Sequence, residues 1–222
     1  AIAIAALKAL EKHQDPTLLV LSSDHEIKLE KKFLEVIKKG FEYSKNDQVV
    51  AFGIIPTFPE TGYGYIRSKE PYSDDDLEGK NIVEFTEKPN INKAKEFIKD
   101  KRYTWNSGMF MFKASIILKE LNQFFPEITK VCKLSLEKSI HDLDFERINK
   151  DAFKKCPDIS IDFAVMEKTK KGIVLPLDAG WSDIGSWQAV WESSKKDDQG
   201  NFLEGKTLVE NTKNCYLRSD DR

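Results

Sequence analysis

Residues 17–55 read TLLVLSSDHEIKLEKKFLEVIKKGFEYSKNDQVVAFGII and contain two apolar runs on either side of a helical pattern. The runs at 17–22 and 48–55 are almost wholly apolar, which is typical of strands buried on both faces of a sheet. Between them, apolar residues recur every three or four positions among lysines and glutamates. This β-α-β order predicts parallel strands joined by a right-handed crossover, and therefore an α/β fold with a mixed sheet.

The rest of the chain continues the alternation of strands and helices. Strands are predicted at 61–66, at 82–87, at 173–177 and, with a bend at Gly108, at 104–112; an acidic loop, Asp74-Asp75-Asp76, lies between the first two. Helices are predicted at 1–10, at 92–100, over much of 114–156, after a Ser160 cap, and from Gly185 or Ser186 through Trp191. From Gly200 onward the pattern changes to short β segments.

Composition excludes several classes of protein. Of the 222 residues 40% are hydrophobic and 32% are charged, which indicates a globular chain rather than a disordered one. The net charge of −2 argues against a nucleic-acid partner, and no apolar run approaches the roughly 20 residues that cross a bilayer. The three cysteines, Cys132, Cys156 and Cys215, form no zinc pattern or disulfide framework, which favours a reducing cytoplasm.

Two carboxylates follow predicted strands at the sheet edge where α/β folds bind ligands. Asp24 follows the strand at 17–22, and Asp183 lies in the Gly- and Trp-rich loop after the strand at 173–177. Two carboxylates that converge repel each other unless a cation lies between them, and hard oxygen ligands with open positions suit Mg²⁺. The alternative is that each aspartate caps the helix that follows it, and position alone favours that alternative.

Two further segments carry groups that could hold a sugar or a phosphate. Gly62 and Gly64 flank Tyr63, and such glycines let a backbone approach a ligand closely or simply form a turn. In Glu87-Lys88-Pro89, Glu can accept sugar hydroxyls and Lys can meet a phosphate, while the proline is expected to keep Lys88 extended. The alternative for this tripeptide is an ordinary solvated ion pair at a strand exit.

An amide and a carboxylate complete the set of candidates. Asn106 follows Trp105, and its side chain offers a donor and an acceptor together, which suits neighbouring hydroxyls. Asp162 stands in an otherwise apolar run, so a buried carboxylate there needs a partner, either a ligand hydroxyl or a backbone amide. The three histidines make no metal spacing; His25 beside Asp24 could steady the loop, and its role is open.

The order of these motifs closely resembles bacterial mannose-1-phosphate guanylyltransferases, the GDP-mannose pyrophosphorylases. The resemblance covers about residues 1 to 200. The motifs that carry it are LSSDH at 21–25, PTFPETGYGYI at 56–66, FTEKP at 85–89, WNSGMF at 105–110, SIDFAVME at 160–167 and GWSDIGSW at 180–187. ETGYGYI and WSDIGSW are specific to this family, whereas the EKP block is shared with other sugar nucleotidylyltransferases.

The resemblance implies a three-layer, Rossmann-like nucleotidyltransferase fold with a mixed, mainly parallel sheet. It implies that mannose 1-phosphate attacks the α-phosphorus of GTP to give GDP-mannose and pyrophosphate. Asp24 and Asp183 would be the Mg²⁺ ligands and, with Lys88 on the sugar phosphate, the catalytic residues. The substrate-binding residues would be Gly62, Tyr63, Gly64, Glu87, Asn106 and Asp162. A homodimer is left open as a further partner.

The family also has a Gly-rich, Arg-containing loop that holds the nucleotide, and no segment of this sequence matches it. We therefore expect a fragment truncated at its N-terminus, with residues 1–199 forming the nucleotidylyltransferase domain and 200–222 the start of a C-terminal β segment. We also expect this polypeptide alone to bind GTP poorly and turn over little. Two alternatives remain: another sugar-1-phosphate nucleotidylyltransferase with a different base, and a non-catalytic subunit that binds sugar nucleotide.

Overall fold

The computed structural model describes residues 1–73 and 78–220, so the predicted acidic loop at Asp74-Asp75-Asp76 lies outside the described residues. The helices are α1 (Ile2–Lys12), α2 (Glu30–Lys45), α3 (Ile91–Phe97), α4 (Ala114–Phe124), α5 (Pro126–Glu137), α6 (Lys150–Phe153) and α7 (Trp187–Ser193), with one π-helix (Asp162–Met166). The strands are β1 (Thr17–Val20), β2 (Glu26–Ile27), β3 (Val49–Ile54), β4 (Tyr65–Ser68), β5 (Lys80–Thr86), β6 (Tyr103–Lys113), β7 (Ile140–Asp142), β8 (Phe145–Arg147), β9 (Gly172–Leu177), β10 (Trp181–Ser182), β11 (Phe202–Glu204) and β12 (Tyr216–Arg218).

The described residues form two compact units. The first comprises Ala1–Ser22 and Glu30–Asp178; the second comprises Ser23–Leu29 and the chain from Ala179 onward. The second unit therefore includes the loop of Asp24 as well as the loop of Asp183. It also contains the short β segments predicted after Gly200, which are β11 and β12. The domain boundary placed at residue 199 stays a prediction.

The first unit is built on a six-stranded mixed sheet in the order β1-β6-β3-β9-β5-β4. The predicted α/β fold with a mixed sheet is confirmed, but most neighbours run in opposite directions. Within the described residues β3 and β9 pair in parallel, and the other neighbours pair antiparallel. The expectation of a mainly parallel sheet is therefore wrong at the level of strand pairs. β6 lies between β1 and β3, and β5 and β4 follow β9, each antiparallel to its neighbour.

Strands β1 and β3 run in the same direction, as predicted, but they are not neighbours. Each pairs antiparallel with β6, which lies between them. β1 is consequently the edge strand, and Leu19 is 38% exposed. The expectation that residues 17–22 are buried on both faces is wrong, since an edge strand is covered less completely than a central one.

The core lies on both faces of the central strands, which gives the three layers. Side chains alternate along each strand, so Val49, Ala51 and Val174 join the apolar cluster that contains α1 and α4. Phe52 and Leu175 point to the other face, where they lie against Gly40 of α2. All residues of β3 and β9 are buried, as their nearly continuous apolar sequence predicts.

Strand β6 bends at Gly108, two residues after Asn106. Gly108 has a φ of +71°, a conformation that glycine adopts without steric cost. The register with β3 shifts between Ala51 and Gly53, and the first residues of β6 pair with β4 as well. The predicted bend at Gly108 is confirmed, and it separates the segment of β6 with Asn106 from the buried segment that pairs with β1.

Other sequence predictions differ from the structure in detail. The strand expected at 61–66 begins only at Tyr65, because Gly62 N–H donates to Glu60 in a turn that comes first. The hairpin of β7 and β8 lies inside the segment expected to be helical. The helix expected at 92–100 spans Ile91–Phe97, and Asn90 caps it by accepting a hydrogen bond from Lys93 N–H. None of the helices in the described part of the chain is long and apolar enough to span a membrane.

Candidate functional site

The first unit brings together Gly64, Glu87, Asn106 and Asp162, four of the predicted sugar-binding residues. Asn106 N–H donates to the carbonyl of Gly64 at 2.7 Å, and Asn106 Nδ2 donates to Asp162 Oδ1 at 2.9 Å. A Cβ on residue 64 would lie 2.7 Å from Glu87 Oε2, so the carboxylate of Glu87 packs directly over the glycine. We call these four residues the polar cluster; they come from four separate segments of the chain.

Each member of the cluster stands at the end or the bend of an element. Gly64 immediately precedes β4, Glu87 immediately follows β5, and Asn106 precedes the bend of β6. Asp162 begins the π-helix, in which its carbonyl accepts from Glu167 N–H at 2.9 Å. Ser160 Oγ accepts from Phe163 N–H, so Ser160 does cap this turn, as predicted.

The amide of Asn106 is held in one orientation. Its Oδ1 accepts from Gly108 N–H at 3.2 Å, while its Nδ2 donates to Asp162. A flipped amide would set two donors against each other at Gly108 and two acceptors against each other at Asp162. An Asn side chain has two donor hydrogens and two acceptor positions, so one of each is left for a ligand. That pair suits a hydroxyl, which both donates and accepts.

The carboxyl of Asp162 is largely buried beside another acid. Burial raises the pKa of Asp162 above its ordinary value of 3.8, and the nearby negative charge of Glu87 raises it further. The hydrogen bond from Asn106 acts in the opposite direction, because it stabilises the carboxylate. A carboxylate in this position gains from any further donor, which a ligand hydroxyl would supply.

We expect Asp162→Asn to stabilise the fold above neutral pH. The folded state holds the proton of Asp162 more tightly than the unfolded state does, so the carboxylate costs stability at every pH above its raised pKa. The cost shrinks as the pH falls through that pKa toward the ordinary value. Thermal unfolding should therefore show a melting temperature higher by a few degrees for the variant at about pH 8, and a smaller difference at about pH 4.5.

The matched control is Asp158→Asn, which neutralises an exposed aspartate of the same unit. It should leave the melting temperature unchanged at both pH values. If Asp162→Asn instead destabilises the chain equally at both pH values, the charge of Asp162 does not lower the stability of the fold. The carboxylate is then a structural partner of Asn106.

Lys88 adopts an unexpected backbone conformation. Its φ is +44°, in the left-handed region, so the expectation that Pro89 holds Lys88 extended is wrong. A non-glycine residue in that region costs free energy and persists where its surroundings determine it. Its Nζ lies 3.8 Å from Glu87 Oε1, and its side chain is 65% exposed, which leaves the ammonium accessible to a phosphate.

Gly62 and Tyr63 contribute differently from Gly64. The amide of Gly62 donates to Glu60 Oε1 at 2.7 Å, so it is already engaged within the loop. The rings of Tyr63 and Trp105 meet edge to face with centroids 5.3 Å apart, and the ring of Phe58 meets the same indole in the same way with centroids 4.9 Å apart. These aromatic contacts fix the loop against β6, next to Asn106; ligand contacts for Gly62 and Tyr63 stay predictions.

The second unit contains both predicted metal ligands. Strands β2 and β10 pair antiparallel, with Ser182 opposite Glu26. Asp183 directly follows β10, and Asp24 precedes β2 by two residues, so both aspartates flank the same end of this short ladder. Asp24 is exposed and Asp183 is half-buried.

The capping alternative for these aspartates is wrong. The N-cap of α7 is Ser186, whose Oγ accepts from Ala189 N–H at 3.1 Å. Asp183 Oδ1 instead accepts from Gly185 N–H at 3.1 Å, within its own loop. Helix α2 begins at Glu30, six residues after Asp24. Neither aspartate therefore caps the helix that follows it.

The donor set fits Mg²⁺ better than a fully enclosed metal. Residues 1–73 and 78–220 include no group of three or more His, Cys, Asp or Glu side chains that could hold an ion. Mg²⁺ binds through one or two carboxylates and takes its other ligands from water and substrate phosphates. Two aspartates at one end of a ladder meet that requirement, whereas a structural zinc site needs four protein ligands.

Two features of the loop that contains Asp183 were not evident from the sequence. Ile184 has a φ of +49°, an outlier for a β-branched residue, and its N–H donates to Ser182 Oγ at 3.2 Å. Trp181 Nε1 donates to His25 Nδ1 at 3.1 Å, which links the two loops that contain the aspartates. The dense Gly-Trp-Ser-Asp composition of the loop and the position of His25 beside Asp24 are the sequence signals that point to them.

Comparisons with known proteins identify the family of this chain. The family model described as Nucleotidyl transferase matches residues 1–200. A mannose-1-phosphate guanylyltransferase of Salmonella montevideo is 47% identical over 223 residues, covering 99% of this chain and 47% of that protein. One from Escherichia coli is 44% identical over 222 residues, covering 100% of this chain and 47% of that protein. The chain thus spans about half the length of the curated relatives it matches.

Solved structures have the same fold. A crystal structure from Thermus thermophilus, described as mannose-1-phosphate geranyltransferase, superimposes with a TM-score of 0.83 at 28% identity, covering 99% of this chain and 62% of that one. A Helicobacter pylori structure described as mannose-6-phosphate isomerase gives a TM-score of 0.71 at 32% identity, covering 82% of this chain and 69% of that one.

Proposed function

Since this chain belongs to the nucleotidyl transferase family, we propose that it is part of an enzyme that transfers GMP from GTP to mannose 1-phosphate. The observation that carries the proposal is the polar cluster, in which Gly64, Glu87, Asn106 and Asp162 converge from four segments. Carboxylates and an oriented amide suit a ligand with several hydroxyls. The identities of the sugar and the base come from the names of the relatives.

The proposed reaction is a single displacement. A phosphate oxygen of mannose 1-phosphate attacks the α-phosphorus of GTP, the bond from that phosphorus to the bridging oxygen breaks, and pyrophosphate leaves. No bond to the enzyme forms, so the protein contributes alignment and charge neutralisation. The polar cluster binds and orients the sugar, and Lys88 offers its ammonium to the sugar phosphate.

Mg²⁺ is the cofactor that fits the proposal. When bound, it would neutralise charge on the phosphates of the nucleotide. Asp24 and Asp183 are the residues that would hold it. Asp183 Oδ1 accepts a hydrogen bond from Gly185 N–H, and this bond fixes the orientation of the carboxylate. A cytoplasmic location and a homodimer remain expectations from the sequence.

Turnover tests the reaction most directly in the protein at its full natural length. With Mg²⁺ present, chromatography should detect GDP-mannose and pyrophosphate from GTP and mannose 1-phosphate. UTP or dTTP in place of GTP, and glucose 1-phosphate in place of mannose 1-phosphate, should react more slowly. A faster reaction with another pair would identify a different nucleotidylyltransferase, and no reaction with any pair would favour a binding subunit. The 222-residue chain alone is expected to form little product.

Lys88→Gln should weaken binding of mannose 1-phosphate but not of mannose. A charge-assisted contact with phosphate contributes about 1.5 kcal/mol, so the dissociation constant should rise about tenfold. Free mannose lacks the phosphate, and its weak binding should not change. Isothermal titration of the 222-residue chain with each ligand measures both.

The control is Lys95→Gln, which removes the same charge from an exposed lysine of the same unit. It should not alter either affinity. Equal loss with Lys88→Gln for mannose and for mannose 1-phosphate would assign Lys88 to the sugar rather than to the phosphate.

A further inference from the structure

The side chains of His25 and Trp181 contact each other in the second unit. Trp181 Nε1 donates to His25 Nδ1 at 3.1 Å, and the two rings meet edge to face with centroids 5.2 Å apart. Trp181 is opposite Ile27 in the ladder, and His25 immediately precedes β2, so the contact is a diagonal one to the residue two before Ile27. The contact reaches beyond the last ladder pair, toward the end flanked by the aspartates.

The ladder between the two loops is short, so it needs further contacts to be stable. It consists of two residue pairs, and an isolated two-stranded segment of that length has little stability of its own. At one end, Lys28 N–H and Leu29 N–H both donate to the carbonyl of Ala179. The other end leads to Asp24 and Asp183. There the His25–Trp181 hydrogen bond joins the residue next to Asp24 to the residue two before Asp183.

The acceptor role of His25 also fixes its ring. Because Nδ1 accepts from an indole N–H, which can only donate, His25 carries its proton on Nε2 in this contact. Trp181 in turn has its ring held against the imidazole. Two stiff aromatic side chains locked to each other leave the backbone on either side little freedom to separate.

We propose that His25 and Trp181 are positioning residues that hold Asp24 and Asp183 at the spacing a divalent cation requires. The inference rests on the proposed function, since it concerns the residues that would bind Mg²⁺. Neither side chain is a metal ligand in this account. They act as the groups around metal ligands commonly do, by restricting the ligands to one geometry, and losing such groups typically lowers metal affinity about 10–100-fold.

Mn²⁺ binding to the 222-residue chain tests the proposal without turnover. Mn²⁺ replaces Mg²⁺ as a probe whose unbound fraction is measured by electron paramagnetic resonance. The variants are His25→Leu, which removes the acceptor, Trp181→Phe, which removes the donor but keeps an aromatic ring, and the double variant. His25→Asn supplies an amide oxygen close to where Nδ1 lies and can accept the same hydrogen bond.

His25→Leu and Trp181→Phe should each raise the Mn²⁺ dissociation constant about tenfold. The double variant should bind no worse than either single variant, because the two residues act through one contact. His25→Asn should bind within about twofold of the native chain, a rescue that a merely structural role of the histidine ring would not produce. Far-UV circular dichroism checks that each variant folds.

The outcomes separate this inference from the function on which it rests. If the native chain binds Mn²⁺, Asp183→Asn abolishes binding, and His25→Leu and Trp181→Phe leave it unchanged, the positioning proposal is overturned while the metal site stands. The positioning proposal is also overturned if the losses of Mn²⁺ affinity add up in the double variant. It is overturned as well if His25→Asn binds Mn²⁺ as weakly as His25→Leu does. If Asp183→Asn and Asp24→Asn leave Mn²⁺ binding intact, the metal site itself is wrong.

Discussion

Asp183→Asn should raise the Mn²⁺ dissociation constant of the 222-residue chain by more than about tenfold. It should also lower GMP transfer by the full-length protein on the order of 10³-fold. The amide keeps the shape of the side chain and can still accept the hydrogen bond from Gly185 N–H, so the loop should retain its conformation. What is lost is the negative charge, and a hard cation depends on that charge.

Asp198→Asn is the matched control, because Asp198 is an exposed aspartate of the same unit. It should change neither Mn²⁺ affinity nor transfer. Electron paramagnetic resonance measures the first and chromatographic detection of GDP-mannose the second. Full activity in Asp183→Asn would contradict the metal role of this residue.

Gly64→Ala should lower the affinity for mannose 1-phosphate at least tenfold with little loss of stability, because the new methyl group would displace a neighbouring carboxylate. That methyl would lie 2.7 Å from Glu87 Oε2 and 3.2 Å from the ring of Phe85. The carboxylate is the movable partner, so it should swing away and leave the polar cluster. Loss of one charge-assisted hydrogen bond to a sugar hydroxyl, about 1.5–3 kcal/mol, corresponds to a roughly 10–100-fold weaker complex.

Gly62→Ala provides the comparison within the same loop. A Cβ there would meet only the carboxylate of Glu60, at 3.1 Å, which is a mild contact. Gly62→Ala should therefore lower the affinity for mannose 1-phosphate much less than Gly64→Ala does, at most about threefold. Isothermal titration calorimetry compares the two variants, and thermal unfolding confirms that both fold. Equal losses would show that the loop as a whole matters rather than the close approach of Glu87 to residue 64.

Local sequence patterns predicted the parts of the fold that depend on neighbouring residues. Continuous apolar runs identified β3 and β9, because a strand buried on both faces has apolar residues at successive positions. A helical period identified α2, because a helix buried along one side has apolar residues every three or four positions. The position of β6 between β1 and β3 could not be predicted in this way. That pairing joins residues far apart in the chain, and no local pattern encodes which distant strand lies between two others.

The candidate site likewise has features that the local sequence predicts and features that depend on distant parts of the chain. Chemical type identified Glu87, Asn106 and Asp162 as candidates, and the rule that ligands bind at strand ends selected Asp24 and Asp183. The left-handed backbone of Lys88 and Ile184 was not predictable, because intrinsic preference opposes it and only the surrounding structure imposes it. The His25–Trp181 bond depends on the register of a two-residue ladder, which leaves almost no sequence signal.

A crystal structure of the 222-residue chain soaked with mannose 1-phosphate tests the central claim most directly. Sugar hydroxyls should lie within hydrogen-bond distance, about 3 Å, of Glu87 and Asn106, with the phosphate near Lys88 Nζ. Parallel soaks of the Gly64→Ala variant should show weaker density or none. A sugar phosphate bound elsewhere on the native chain, with the polar cluster making no contact to it, would contradict the account.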